Sequence, residues 1–499
     1  MKIIKKAKEV DILLIGEGTY PYVRGGVSSW IHQLISGLPE FKFGIVFLGS
    51  RKEDYGDILY KLPDNLVHLQ VHYLFGEKPS SEIKPIKNVK DFYVIEELYR
   101  WITKKRDDFP EELKGIEFYN EKITREHFLY SKQSWDFITT KYIQNCPDLP
   151  FIDYFWSVRN IHMPIWVIAE VAKTLPKCKI IHSPSTGYAG FLGSLYSYEY
   201  DTPYILTEHG IYTRERKIDM LTADWINIQK PALLRQPDEF NYIKQMWVNF
   251  FEKIGLISYK RANPIISLFS RARDIQINFG ADPNKCIVVP NGVDVDTLKR
   301  ECYEKRPKKI PKVITLIGRV VPIKDIKTFI RAMRIVVSEI PDVEAWVVGP
   351  TEEDPIYAKE CEQMIETLQL KNNFFLKGFQ NIKDILPKSG LLTLTSVSEG
   401  MPLTILEGFA AGLPCVATDV GSCYDLIYGG LGDEDKALGA AGAVTGIADP
   451  SSLAKYYIEF LTNEELWHKA QDTALKRVNS YYRQDQFLET YRKMYQEVL

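Results

Sequence analysis

The chain has 499 residues, 45% hydrophobic and 26% charged, which is the composition of a globular protein of two or three domains rather than of a disordered or fibrous chain. A formal net charge of −2 gives no general attraction to phosphate backbones or anionic lipid, so nucleic acid is not expected as a partner. Seven scattered cysteines without CxxC spacing speak against a disulfide frame or a zinc site, and no apolar run approaches the ~20 residues of a membrane span. A cytoplasmic location is expected.

In chain order, Val10–Gly16 reads as a strand, followed by a glycine-rich loop, a helix over about Val27–Leu38, a strand at Phe43–Leu48 and another at Leu66–Leu74. This β-α-β opening predicts a parallel sheet. From about 78 to 146 the chain is rich in charge and aromatics (Tyr93, Tyr99, Trp101, Trp135) at helical spacing and is read as a helical insertion. Strands return at Cys178–His182, Pro203–Thr207, Pro264–Ser267 and Cys286–Val289, with a helical region between about Pro237 and Arg261. The charged stretch Glu301–Lys312, with Pro307 and Pro311, is the expected linker. A second alternation follows: strands at Val313–Gly318, Val343–Gly349, Phe374–Leu376, Leu391–Thr395 and Cys415–Ala417, with an amphipathic helix at Ile326–Val337. The expected domains are 1–300, then the linker 301–312, then 313–483, with a last helix at 484–499 whose apolar stripe suits packing on the first domain. Two such α/β domains are expected to face each other across a cleft.

Chemistry-bearing residues cluster where these strands end. Glu399 and Glu407, eight positions apart, flank a loop and helix opened by Gly400 and Pro402. Glu399 falls at a strand's carboxyl end, where open α/β sheets bind ligands, and Pro402 suits the helix's first position. Glu407 falls on the shoulder of the helix's packed face, where a carboxylate is costly unless paired. Arg319 and Lys324 follow the first strand of the second half and suit a diphosphate; the backbone amides of Met401, Leu403 and Thr404 open a helix toward the same phosphates. In the first half, Gly25 and Gly26 precede a helix and either let an anion approach backbone amides or serve a turn with positive φ. Gly16 and Gly18 start a dinucleotide fingerprint that fails at Pro21, so NAD is disfavoured. His209 ends a strand and suits either a structural role or contact with a sugar hydroxyl. Asp294-Val295-Asp296 is a D-x-D, a spacing that can hold a divalent metal ion, here placed in a turn.

The set Gly25-Gly26, His209, Asn291-Gly292-Val293-Asp294, Arg319 with Lys324, and Glu399 with Glu407 resembles retaining glycosyltransferase family 4. Thr19–Trp30, Thr207–Tyr212 and Arg214–Arg216 are similar to its PelF-like branch, which serves Pel exopolysaccharide synthesis in biofilms. The resemblance implies the GT-B fold, two Rossmann-like α/β/α domains. It also implies a UDP-sugar donor, a growing polysaccharide acceptor, an inner-membrane synthase complex as partner with the aromatic insertion as docking surface, no cofactor and no metal. Arg319 and Lys324 would hold the diphosphate, Glu407 the ribose, Glu399 and His209 the reacting sugar, and Phe379 the base, with Gly25 and Gly26 near the phosphates. Gly421-Ser422 stands where the family often has Gly-Gly, and Ser422 suits a helix cap. A UDP-sugar epimerase and a non-catalytic sugar-nucleotide scaffold are the alternatives.

Overall fold

The computed structural model describes residues 2–76, 89–222 and 242–499. The first part of the expected insertion (78–88) and residues 237–241 lie outside the described residues. Contacts divide the chain into two compact units. The first is Met1–Ser267 with Arg273–Ile287 and Met494–Leu499; the second is Leu268–Ala272 with Val288–Lys493. The change-over after Ile287 comes ahead of Glu301–Lys312, because Val293 N donates to Tyr482 O (3.0 Å) and Gln484 N to Val293 O (2.9 Å), which ties the 291–294 segment to the second unit.

The first unit holds an eight-stranded sheet: β1 (Lys2–Lys5), β2 (Glu9–Glu17), β3 (Phe43–Gly49), β4 (Leu66–Tyr73), β5 (Lys177–Ser183), β6 (Tyr204–Glu208), β7 (Ile265–Ser267) and β8 (Cys286–Val288), in the order β1-β4-β3-β2-β5-β6-β7-β8. β2 to β7 pair in parallel and β1 runs antiparallel along β4. The strand order reverses between β2 and β5. β3 is buried along its whole length, as a near-continuous apolar run demands when both sheet faces are covered. The insertion carries helices at Tyr93–Ile102, Arg125–Tyr130 and Lys132–Asn145, and its Ile95, Leu98 and Trp101 share one apolar core with Val10 and Leu13 of the sheet. The helical layer continues into a 22-residue helix, Phe151–Ala172, where no element is expected from sequence; Pro164 lies inside it, a residue that ordinarily argues against a helix interior.

The second unit has a six-stranded, all-parallel sheet: β9 (Val313–Ile317), β10 (Glu344–Val348), β11 (Phe374–Leu376), β12 (Leu391–Leu394), β13 (Cys415–Thr418) and β14 (Gly442–Thr445), in the order β11-β10-β9-β12-β13-β14. Helix Ile326–Glu339 buries Ile326, Phe329, Ile330 and Met333, the i, i+3, i+4, i+7 stripe that a helix lays on a core. This sheet reverses order between β9 and β12. Among the described residues no helix is long and apolar enough to cross a membrane. All seven cysteines are free thiols.

Candidate active site

The reversal between β9 and β12 is where a doubly wound sheet opens a crevice at its carboxyl edge. Both strands end there in loops sewn together through the backbone. Val397 N donates to Ile323 O (2.8 Å), and the Thr395 hydroxyl donates to Lys324 O (2.8 Å). The Thr418 hydroxyl, from the end of β13, donates to Ser396 O (2.7 Å). On this frame Lys324 Nζ meets Glu399 Oε1 at 2.5 Å, and the Ser396 hydroxyl donates to the same oxygen at 2.5 Å. The two charged side chains are only 20% and 14% exposed, so this pair is not a solvated surface bridge. The stem of Lys324 runs 3.4 Å from where a Cβ on Gly318 would stand, so the bare backbone at Gly318 lets the lysine lie across the strand end.

The structure thus brings together two of the four charged residues expected to act together. Arg319 instead pairs with Glu353, from the loop after β10. Glu407 lies in helix Leu403–Ala410 with no hydrogen-bond or ion-pair partner for its carboxylate among the described residues, and burial pushes its carboxyl up to about 7. Pro402 takes the N-cap position, not the first helical one: its ψ of 111° is extended, and the helix begins at Leu403. Among the described residues no side chain caps this helix, so none claims the first-turn amides that include Leu403 and Thr404. Met401 is buried, its sulfur accepting from Asn291 N at 3.2 Å. Phe379 is 66% exposed after Gly378, whose φ of +64° turns the chain off β11. Gly421 has φ +55°, and a Cβ there would strike the carbonyl oxygens of Glu399 and Gly400, so the loop after β13 closes directly on the Glu399 loop. Ser422 does not cap the helix that follows. Its backbone sits at φ −96°, ψ 7°, and its hydroxyl is buried with no hydrogen-bond partner among the described residues.

In the first unit, Gly25 is the N-cap of helix Gly26–Gly37 at φ 164°, extended backbone open to any residue. Among the described residues nothing lies within 4 Å of a Cβ built on Gly25 or Gly26. The turn reading with positive φ therefore fails, and what the glycines leave is open space beside a helix start. His209, just past β6, packs edge-on against Trp30 (ring centroids 4.6 Å apart). Burial holds its imidazole down at about 3, and its Nε2 has no hydrogen-bond partner among the described residues. At this sheet's own reversal point the crevice is occupied. Glu17, at the end of β2, accepts from Ala189 N (3.1 Å) at the start of helix Tyr188–Tyr200 and from the Tyr212 hydroxyl (2.8 Å). The chain's own carboxylate thus takes the start of helix Tyr188–Tyr200, which follows β5, while helix Gly26–Gly37, which follows β2, has no side-chain cap among the described residues.

Both acids of the D-x-D have local work. Asp294 caps helix Val295–Leu298 through Thr297 N (3.0 Å), and Asp296 pairs with Arg483 (2.6 Å). Three contributors escaped the sequence reading. Ser396 carried a local signal, standing three residues before Glu399 in the same loop. Glu353 carried none, being 34 residues from Arg319. Glu17 was legible only as part of the glycine loop.

Residues 10–284, more than half of the chain, match the family described as a domain of unknown function (DUF3492), and residues 299–477 match glycosyl transferases group 1. Among curated proteins, the chain is 31% identical over 183 residues to the UDP-Gal:alpha-D-GlcNAc-diphosphoundecaprenol alpha-1,3-galactosyltransferase of Escherichia coli, covering 34% of this chain and 46% of that one. It is 28% identical over 207 residues to N-acetyl-alpha-D-glucosaminyl L-malate synthase of Bacillus anthracis, covering 41% of this chain and 50% of that one. The chain thus spans about half the length of these relatives. Among solved structures it is similar to Anabaena HepE in complex with UDP and glucose (TM-score 0.59, 14% identity, 98% of this chain and 100% of that one). It is also similar to sucrose-phosphate synthase from Thermosynechococcus elongatus (TM-score 0.58, 11% identity, 98% and 99%). These likenesses and the two parallel sheets establish a GT-B fold of two Rossmann-like domains. The chain belongs to the DUF3492 family, and beyond that domain its residues 299–477 match glycosyl transferases group 1.

Proposed function

We propose that the protein is a retaining, metal-independent glycosyltransferase that moves a hexosyl unit from a UDP-sugar to a growing polysaccharide. The observation that carries this reading is the Lys324–Glu399–Ser396 cluster at the order reversal of the second sheet. A cation and a hydroxyl-binding acid, fixed by two sewn loops, suit a sugar diphosphate. Support comes from the group 1 segment over 299–477, from a relative whose name carries UDP-Gal, and from a fold neighbour crystallised with UDP and glucose. Lys324 and Arg319 neutralise the diphosphate, Glu399 accepts from the sugar's hydroxyls, and Glu407 from the ribose. The unclaimed amides of Leu403 and Thr404 face phosphate, and Phe379 covers the base. In the first unit, the open backbone at Gly25 and Gly26 and the unpartnered Nε2 of His209 are the groups assigned to ligand.

The chemistry needs no side-chain nucleophile. The acceptor oxygen attacks the anomeric carbon from the face that UDP leaves. The bond from that carbon to the phosphate oxygen breaks, and the acceptor's proton passes to the departing phosphate. The protein supplies orientation and charge stabilisation of UDP. The motif likeness over Thr19–Trp30 and Thr207–Arg216 favours a Pel-type polymer as acceptor, with work at the cytoplasmic face of the inner membrane beside a membrane-embedded synthase. No observation favours an epimerase. The test is transfer from a panel of labelled UDP-sugars, with EDTA present, to polysaccharide acceptor fragments. Release of UDP with retention at the anomeric carbon is expected; near-normal turnover by both K324A and E399A would refute the assignment.

A further inference from the structure

The loop from Gly349 to Asp354, between β10 and helix Pro355–Thr367, contains three consecutive acids, Glu352, Glu353 and Asp354. Two serve the loop itself. Glu352 accepts from Thr351 N (3.0 Å) and its hydroxyl (3.4 Å), and Asp354 caps the helix through Tyr357 N (3.0 Å). Glu353 instead reaches out of the loop to the Arg319 guanidinium. The approach is built into the backbone, since Val320 N donates to Pro350 O (3.0 Å) and holds the end of β9 against this loop. Both partners are about half exposed, 47% and 48%, so the pair adds little to the fold. It differs in this from the enclosed Lys324–Glu399 pair.

We propose that Glu353 is a resident counter-ion of the donor site: its carboxylate occupies Arg319 until a diphosphate displaces it, and so sets how tightly UDP is held and how readily it leaves. The inference rests on the assignment of Arg319 to the donor diphosphate. A guanidinium binds carboxylate and phosphate through the same fork of N–H donors, so one anion excludes the other. A diphosphate with more charge wins the exchange, but the displaced carboxylate remains tethered within a screening length and opposes it. An enzyme that must discard UDP after each transfer gains from such an opposing charge, because weaker product binding speeds release.

The experiment is calorimetric titration of UDP into the unmodified protein and into E353Q, E352Q, R319A and the R319A/E353Q double variant, at about 50 mM and 500 mM salt. E353Q is expected to bind UDP about 5- to 10-fold more tightly at low salt, with the gain shrinking to about 2-fold at high salt. E352Q removes equal charge one residue away and is expected to change affinity less than 2-fold. In the R319A background, E353Q is expected to give no tightening. Equal or weaker UDP binding by E353Q overturns the inference, as does equal tightening by E352Q or by E353Q without Arg319. Failure of UDP to bind the unmodified protein at all would overturn the functional reading itself, an outcome distinct from binding that is indifferent to Glu353.

Discussion

Glu407 is a half-buried carboxylate with no partner among the described residues, and the fold bears the cost of it. Burial moves its carboxyl from an ordinary 4.5 to about 7. The folded protein therefore holds this proton more tightly than the unfolded chain does, and stability falls as pH rises from about 4.5 to about 7. At about 1.4 kcal/mol per pH unit the full withheld stability above pH 7 is about 3 kcal/mol, or about 2 once the solvent-facing part of the carboxyl is allowed for. Replacing Glu407 by Gln keeps the shape and removes the charge. Urea denaturation of the second unit, read by hydrogen exchange of peptides spanning 391–418, is expected to show E407Q more stable by about 2–3 kcal/mol at pH 8 and by less than about 1 kcal/mol at pH 5. If Glu407 holds the ribose as proposed, the same variant is expected to lose most of its UDP affinity, since an amide accepts poorly from two ribose hydroxyls. An E407Q protein that is less stable at pH 8, or one whose advantage does not grow between pH 5 and pH 8, would show that Glu407 has a structural partner and refute the reasoning. A gain in stability coupled to a loss of binding is the signature of a group held for its ligand rather than for the fold.

Ala at Lys324 or at Glu399 is expected to lower transfer by 100-fold or more with circular dichroism unchanged; removal of one partner leaves the other an unpaired charge with little exposure, so a small melting-point drop accompanies the loss. His209 is held near 3 and stays neutral through the working range, so the pH–rate profile is expected to carry no limb from it between pH 5 and pH 9, and H209A lowers the plateau without moving either limb. G421A is expected to destabilise the second unit by about 1–3 kcal/mol and weaken UDP binding, because a Cβ at φ +55° meets the Glu399 and Gly400 carbonyls, whereas G25A, with open space and extended backbone, leaves the melting point unchanged.

Long apolar strands were readable because a buried parallel strand must be nearly continuous in apolar residues, as Phe43–Leu48 and Val313–Gly318 are. What failed to show had weak local signals. β1 is four residues of mixed lysine and isoleucine and becomes a strand only by pairing with β4, where Lys5 Nζ also donates to Leu66 O (2.8 Å). β14 opens on Gly442, required because the backbone passes so close to Cys415 that a Cβ would strike its carbonyl oxygen; glycine and alanine there mask the strand. That Lys324 and Glu399 lie near each other was readable from residue type and strand ends, since both follow a strand of the second sheet directly. The direction in which Arg319 points was not readable, because it depends on Glu353, which the fold brings in from another strand's loop. Pairing of exposed charges is a tertiary fact with no periodicity to announce it.

The two sheets share one architecture and differ at the point where each reverses its strand order. In the first, Glu17 fills the crevice, and burial pushes its carboxyl upward even as the Tyr212 hydroxyl and Ala189 N donate to it. In the second, the corresponding place holds Lys324 and Glu399 ahead of a helix that no side chain caps among the described residues. The first unit answers the start of helix Tyr188–Tyr200 with its own carboxylate, whereas among the described residues no side chain answers the start of helix Leu403–Ala410 in the second. This contrast predicts how E17A behaves. Removing the acceptor strands a buried amide and a tyrosine hydroxyl, at a cost of about 2–4 kcal/mol to the first unit's stability. UDP affinity, which the proposed function assigns to the second unit, is expected to stay within about 2-fold of the unmodified protein by calorimetry below the melting point. A variant that keeps its stability but loses UDP would place the nucleotide at β2 and β5, and would reverse the division of labour argued from the two crevices.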